Sequence, residues 1–306
     1  MILYYRIKIN YIQYSGNIKN KIKMKVLVTG AKGQLGKSIR KIKNQYSEVD
    51  FIFTDVEELD ITNQDDVNTF FDKFKPVYCI NAAAYTNVDK AEIEKELNFK
   101  INVTGPENLA FACAKTGCTL IHISSDYVYN NDSDEIMTEE SNTFPKGEYA
   151  ESKLSGENKI KDVFSRFYII RTSWLYSEFG NNFVSTISNL CKRKKELNVV
   201  NDQIGSPTYA TDLADAIMKI ITLDKGLYGI YNFSNKGFTS WYDFAKKIVE
   251  IKKITCIINA IPSSEYPTLA PRPMNSRMSK KKLIDNLNIN LKYWEESLKT
   301  CLGQIS

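Results

Sequence analysis

The feature that most constrains this chain is seven residues long. Gly30-Ala31-Lys32-Gly33-Gln34-Leu35-Gly36 directly follows KVLVT (25–29) and opens an amphipathic stretch over 34–45. A β-branched run entering a glycine turn that starts a helix is the first half of a β-α-β unit. Each glycine has its own use there: a tight turn, close approach of the backbone to a ligand, and close packing of helix on sheet. The free N–H groups of Gly33, Gln34, Leu35 and Gly36, together with the helix dipole, suit a pyrophosphate. The turn therefore predicts an α/β fold that binds a dinucleotide.

The rest of the chain keeps that rhythm. FIFTD (51–55), VYCIN (77–81), CTLIHIS (118–124) and FYIIR (167–171) read as strands, and 64–74 and 95–116 as helices. Phe99, Val103, Leu109 and Ala112 fall at helical intervals in the second helix. Strands alternating with helices predict a parallel sheet covered on both faces. Beyond about 172 the pattern loosens. LNVV, GIYNF and ITCII read as strands among helices near 181–195, 210–222 and 240–251. Four of the eight prolines fall in 261–276, which reads as an ordered or substrate-gated loop region.

The turn is spaced G-x-x-G-x-x-G, which points to short-chain dehydrogenases/reductases and hence to NADH or NADPH. Asp55 ends the second strand, 19 residues after Gly36, where an acid takes the ribose hydroxyls and favours NAD. Lys32, inside the turn, is placed to meet a 2′-phosphate instead, so the two cofactors stay open. Asp60 is expected either to read the adenine edge or to cap the next helix with Thr62.

Tyr-x-x-x-Lys occurs three times, at Tyr4/Lys8, Tyr149/Lys153 and Tyr242/Lys246. Phenol and ammonium four residues apart share a helix face, and a nearby cation makes a phenol a better acid near neutrality. Tyr149/Lys153 is singled out by Ser124-Ser125-Asp126-Tyr127, at the end of the fourth strand, where ligands of open α/β sheets gather. The Ser125 hydroxyl is expected to hold a substrate carbonyl against Tyr149. Tyr242/Lys246 reads as an ordinary amphipathic surface.

Composition removes competing chemistries. There is one histidine, His122, in an alternating strand run, so Ser-His-Asp hydrolysis and His-based zinc sites are poor candidates. Six scattered cysteines without C-x-x-C read as reduced thiols in the cytoplasm. The net charge of +5 is misleading. Residues 1–23 hold five basic and no acidic residues, and taking those five from 41 leaves 36 basic against 36 acidic. A neutral body argues against a nucleic-acid or membrane partner. The leader reads as a non-native or mis-started extension before Met24, with a basic arm or an extra edge strand as alternatives.

Seven runs then carry a resemblance: VTGAKGQLG (28–36), INAAAYTNVDKAE (80–92), ISSDYVY (123–129), YAESKLSGE (149–157), RTSWLY (171–176), NDQIGSPTYATDLA (201–214) and APRPMNS (270–276). Their order and content resemble the dTDP-4-dehydrorhamnose reductase family of extended short-chain reductases. The resemblance implies a Rossmann-type doubly wound parallel sheet with a smaller C-terminal α/β substrate lobe. It divides the chain into a 24–172 dinucleotide-binding domain, rejoined by about 196–235, and a substrate lobe of about 173–195 and 236–306.

It also implies reduction of the 4-keto group of dTDP-4-dehydro-L-rhamnose to dTDP-L-rhamnose by NADPH or NADH. Ser125 (usually Thr in the family), Tyr149 and Lys153 would be catalytic. Ala82, Ala83 and Ala84 join the turn, Asp55 and Asp60 at the cofactor, and Tyr149 and Lys153 reach it as well. Asp126, Trp174, Gln203 and Arg272 would meet the substrate, and Asn102 matches a structural helix Asn. Some members form homodimers bridged by Mg²⁺ through carboxylates that the sequence does not place. Two alternatives remain: a related nucleotide-sugar ketoreductase or epimerase, and a non-catalytic subunit resembling the regulatory subunit of methionine adenosyltransferase.

Overall fold

The computed structural model describes residues 23–129 and 134–305; the readings of the leader and of Tyr4/Lys8 fall on residues 1–22, outside that range. The first half runs β1 (Met24–Thr29), α1 (Gln34–Ile42), β2 (Val49–Phe53), α2 (Gln64–Phe74), β3 (Tyr78–Asn81), α3 (Val88–Ala91), α4 (Lys95–Phe99), α5 (Gly105–Thr116) and β4 (Thr119–Ser125). It continues through α6 (Glu148–Val163), β5 (Phe167–Thr172), β6 (Leu175–Tyr176), α7 (Phe183–Cys191), β7 (Glu196–Val200), β8 (Ile204–Gly205) and β9 (Thr208–Tyr209). Last come α8 (Ala210–Leu223), β10 (Gly229–Phe233), β11 (Thr239–Ser240), α9 (Trp241–Lys252), β12 (Ile257–Ile261), α10 (Lys281–Leu287) and α11 (Trp294–Leu302).

Six strands form one parallel sheet in the order β10-β5-β4-β3-β1-β2. The fold is the expected Rossmann-like one. The chain moves from β1 outward to β2 and then back to β3 on the other side. That reversal opens a crevice beyond the carboxyl ends of β1 and β3. Alternation along β1 shows why the sheet is covered twice. Val26 and Val28 pack with Leu35 and Ile39 of α1 and Leu213 and Ile217 of α8. Leu27 faces the other way, with Phe71 of α2, Leu109 and Cys113 of α5 and Ile160 of α6. Strands buried on both faces read as continuous apolar runs, as KVLVT does.

A third core joins α7, α9, α11, β7 and β12 through Val184, Leu197, Phe244 and Leu298. Within 196–235 the strands divide. β10 pairs with β5 in the main sheet, whereas β7 pairs with β12 outside it, so return to the sheet begins at α8. The helix expected over 95–116 is continuous but not uniform. Residues Lys100–Thr104 form a π turn between α4 and α5, a local widening often found at functional sites.

Candidate active site

The glycine turn is built by close approach. Gly30 has φ +64°, and a Cβ there would lie 2.6 Å from the Ala83 nitrogen; one on Gly36 would lie 2.5 Å from the Ala31 Cα. Only hydrogen fits at either position. Gly33 is the N-cap of α1 and offers no side-chain cap, leaving the first-turn amides for an anion. These features fit a dinucleotide diphosphate.

The turn forms one wall of a cavity of about 800 Å³. Gly30, Gly33, Gln34, Leu35, Asp55, Asp60, Ala82, Ala83 and Ala84 line it, and so do Ser125, Asp126, Tyr149, Lys153 and Trp174. Residues up to 144 positions apart in sequence thus converge on one space. Gly36 lies beneath it, in contact with Ala31.

Asp55 and Asp60 are both engaged locally. Asp55 accepts from the backbone N–H of Lys32 at 2.9 Å and of Val56 at 3.0 Å. Lys32 reaches outward to Glu57 at 2.7 Å. Asp60 accepts from the Thr62 amide at 2.9 Å and its hydroxyl at 2.7 Å. The cap of α2 is Asn63, not Asp60.

At the other wall, β4 delivers Ser125 and a short 3₁₀ turn follows at once with Asp126. Ser125 Oγ donates to Asp126 Oδ1 at 3.1 Å and accepts from the Tyr127 amide at 3.3 Å. Tyr149 stands at the start of α6 with its ring edge-on to Tyr127, centroids 5.4 Å apart. Burial pushes its phenol up to about 12, opposed by a hydrogen bond with Ser125. Lys153 is 2% exposed, and its Nζ donates to the Ile123 carbonyl at 2.7 Å. Burial lowers it to about 8, against the pull of Glu157. The expected lowering of Tyr149 by Lys153 is not seen: burial raises the phenol, Asp126 raises it further, and only the Ser125 hydrogen bond opposes them. Asp126, buried, is raised to about 6.

The π turn explains how the loop after β3 is held. Asn102 Oδ1 accepts from the Tyr85 amide at 2.9 Å while Nδ2 donates to the Tyr85 carbonyl, Asn98 and Ser152. This clamp fixes the segment that follows Ala82–Ala84. Gln34 makes a second clamp, accepting from Ser177 at 2.9 Å and Asn182 at 3.0 Å. Neither Asn98 nor Ser152, Ser177 and Asn182 was singled out from the sequence. Asn182 carried a local signal, since N-x-x-S over 182–185 closes as a capping box on α7.

Trp174 is the least ordinary lining residue. Its φ is +49°, left-handed backbone that a bulky side chain rarely adopts. Its indole stacks on Trp241 at 3.6 Å and 12°, and Gly205 makes room beneath it, since a Cβ there would lie 2.8 Å from the ring.

Two expected substrate residues stand apart from the cavity lining. Gln203 donates to Ser263 Oγ at 2.9 Å. Arg272 is ion-paired with Asp89 at 2.6 Å, and Asp89 also accepts from the Ala270 amide at 3.0 Å. Together these bonds tie the proline-rich stretch to α3. His122 is a buried β4 residue, its Nδ1 3.1 Å from Asn81 Nδ2. Tyr242 and Lys246 form a surface ring contact on α9. Among the described residues, no cluster of three or more His, Cys, Asp or Glu could hold a metal ion, so the Mg²⁺ expectation gains no site. No described helix is long and apolar enough to cross a membrane.

Residues 24–306 match the family model for the RmlD substrate binding domain. The chain belongs to the dTDP-4-dehydrorhamnose reductase family. It is 39% identical to the dTDP-4-dehydrorhamnose reductase of Aggregatibacter actinomycetemcomitans, over 90% of this chain and 97% of the relative. It is 38% identical to the spore coat polysaccharide biosynthesis protein SpsK of Bacillus subtilis strain 168, over 92% and 98%. A solved dTDP-4-dehydrorhamnose reductase of Bacillus anthracis str. Ames, in complex with NADP, superposes with TM-score 0.89 at 40% identity, over 92% and 99%. Oxidoreductase chemistry is the family's, and the solved relative carries NADP.

Proposed function

We propose that this protein reduces the 4-keto group of dTDP-4-dehydro-L-rhamnose to dTDP-L-rhamnose, with NADPH or NADH as reductant. The observation that carries the reading is the convergence of Ser125, Tyr149 and Lys153 with the glycine turn on one cavity. A purely binding subunit of the methionine adenosyltransferase type does not require that set.

In this reading the amides of Gly33–Gly36 hold the cofactor diphosphate, and the ends of β2 and β3 flank the adenosine and nicotinamide halves. When bound there, the nicotinamide supplies the hydride. The protein's own residues handle the oxygen. Ser125 donates a hydrogen bond to the ketone oxygen and orients it. Tyr149 passes its phenolic proton to that oxygen as charge builds on it. Lys153, held on the Ile123 carbonyl, stabilises the phenolate left behind. Asp126 and Trp174 contact the sugar, the indole by apolar stacking. Arg272 reaches the substrate diphosphate only by giving up Asp89. In this reading the sugar sits against Trp174 and the 179–182 stretch that leads into α7, both of which line the cavity.

The close relationship to SpsK supports a second reading, a ketoreductase acting on a related nucleotide sugar. Assaying the protein with dTDP-4-dehydro-L-rhamnose beside other nucleotide 4-ketosugars separates the two. Net consumption of one cofactor per sugar excludes an epimerase, which regenerates its nicotinamide.

A further inference from the structure

Among the described residues Lys153 has only a carbonyl as its direct partner, yet it sits almost wholly out of water. One turn along the same face of α6 lies a second charge that the chemistry above does not use. Glu157 is 0% exposed. Its Oε1 accepts from Ser124 Oγ at 2.5 Å and from Arg171 Nε at 2.9 Å. Its Oε2 accepts from Arg171 Nη2 at 2.6 Å. Arg171, 2% exposed, lies 4.7 Å over the Tyr129 ring. A buried ion pair is often no more stabilising than an apolar pair of the same shape. Stability alone is therefore a weak reason for one here. Its position is more informative: it joins α6, β4 and β5 where Ser125, Tyr149 and Lys153 emerge.

We propose that Glu157 is a positioning residue, a buried carboxylate that keeps the Lys153 ammonium charged and fixes the Ser124–Ser125 end of β4 against α6. The inference rests on the reductase reading for the role of Lys153, not for the geometry. Burial opposes the charge on Lys153, and the Glu157 carboxylate is the group that opposes burial. The other groups around Lys153 do not replace it. From α6 comes Tyr149, whose phenol is neutral at physiological pH. From β4 comes His122, held neutral by burial and by Lys153 itself. Beyond β4 lies Asp126, raised toward neutrality. From β5 comes Arg171, a cation itself held by the Glu157 carboxylate. Removing the charge of Glu157 thus leaves Lys153 facing burial and an unneutralised guanidinium.

The test reads Lys153 directly in the cofactor-free protein, so its outcome does not depend on which sugar is reduced. Protein labelled with carbon-13 lysine is titrated by nuclear magnetic resonance, and Lys153→Ala identifies the resonance. The native signal titrates near about 8. In Glu157→Gln it falls by about one pH unit or more, and in turnover the basic limb of kcat moves down with it. In Arg171→Gln the carboxylate loses its other cation, and the Lys153 titration does not fall. The fall in Glu157→Gln separates this role from simple loosening, which would admit water and raise Lys153 in both variants. An unchanged or raised titration in Glu157→Gln overturns the proposal, as does a fall in Arg171→Gln. If Glu157→Gln fails to fold, a fall in Arg171→Gln still overturns the proposal. The expected titrations in a native protein that reduces no nucleotide 4-ketosugar would, by contrast, count against the reductase reading alone.

Discussion

A tyrosine whose phenol is pushed up to about 12 is a reluctant acid and a willing holder of its proton. That suits a group that must arrive protonated and give the proton up only when an oxygen acquires charge. Tyr149→Phe keeps the ring and removes the proton. We expect kcat to fall at least about 100-fold, from the range typical of acid–base groups, which is about 2.7 kcal/mol of transition-state stabilisation. Binding of NADPH should hardly change, and near-normal turnover would exclude the role. Lys153 sets the pH dependence. Its pKa is lowered to about 8 from an ordinary 10.5, and its charged form is the useful one. Activity is therefore full below that value and declines as pH rises through it; a kcat profile flat to pH 10 would contradict the assignment. The residues themselves were legible in the sequence, because Tyr-x-x-x-Lys and the Ser at the strand end are local patterns. Their environment was not. Burial, which raises the Tyr149 phenol, depends on Ser125 and Tyr127, brought up to it only by the fold.

At the level of elements, the site depends on two places where backbone or ring leaves no slack. Gly30 has positive φ and a Cβ there would strike the chain at Ala82 and Ala83. Gly30→Ala must push β1 and β3 apart as well as adopt a left-handed conformation costing about 1–2 kcal/mol. We expect a lower melting temperature and loss of measurable cofactor binding; an Ala variant that binds NADPH normally would show that the approach is not needed. The second place is the stack of Trp241 behind Trp174. Aromatic pairs contribute about 0.5–1.5 kcal/mol, and here the contact holds a residue whose left-handed backbone is itself strained. Trp241→Leu should raise the KM for the nucleotide sugar by about 2- to 10-fold, with kcat and cofactor affinity held. An unchanged KM would mean that Trp174 keeps its place without the stack. The glycine turn was readable because its spacing is local. The Trp pair was not, since 67 residues separate the partners and only the folded chain brings α9 under the Trp174 segment. The π turn at Lys100–Thr104 was likewise invisible to periodicity, which saw one helix where the structure has a widened one.

For the whole molecule, the alternation of strands and helices determined the sheet, and the sheet's reversal at β1 and β3 determined where a ligand binds. What the sequence could not apportion was 196–235, where β7 and β10 look alike in composition but pair with different partners. Arg272 and Gln203 mark the same limit. Both belong to recognisable runs, yet in the folded chain one grips Asp89 and the other Ser263. The charge balance does carry through: a body with as many acidic as basic residues from Met24 onward must meet an anionic cofactor and an anionic sugar nucleotide by local geometry, not by a general field. The central claim is that this geometry reduces a nucleotide-bound 4-ketosugar. The direct measurement is the loss of reduced-nicotinamide absorbance on mixing the full chain with dTDP-4-dehydro-L-rhamnose and, in parallel, with NADPH or NADH. The account predicts stoichiometric oxidation of at least one cofactor and formation of dTDP-L-rhamnose; no oxidation of either cofactor with this sugar would contradict it.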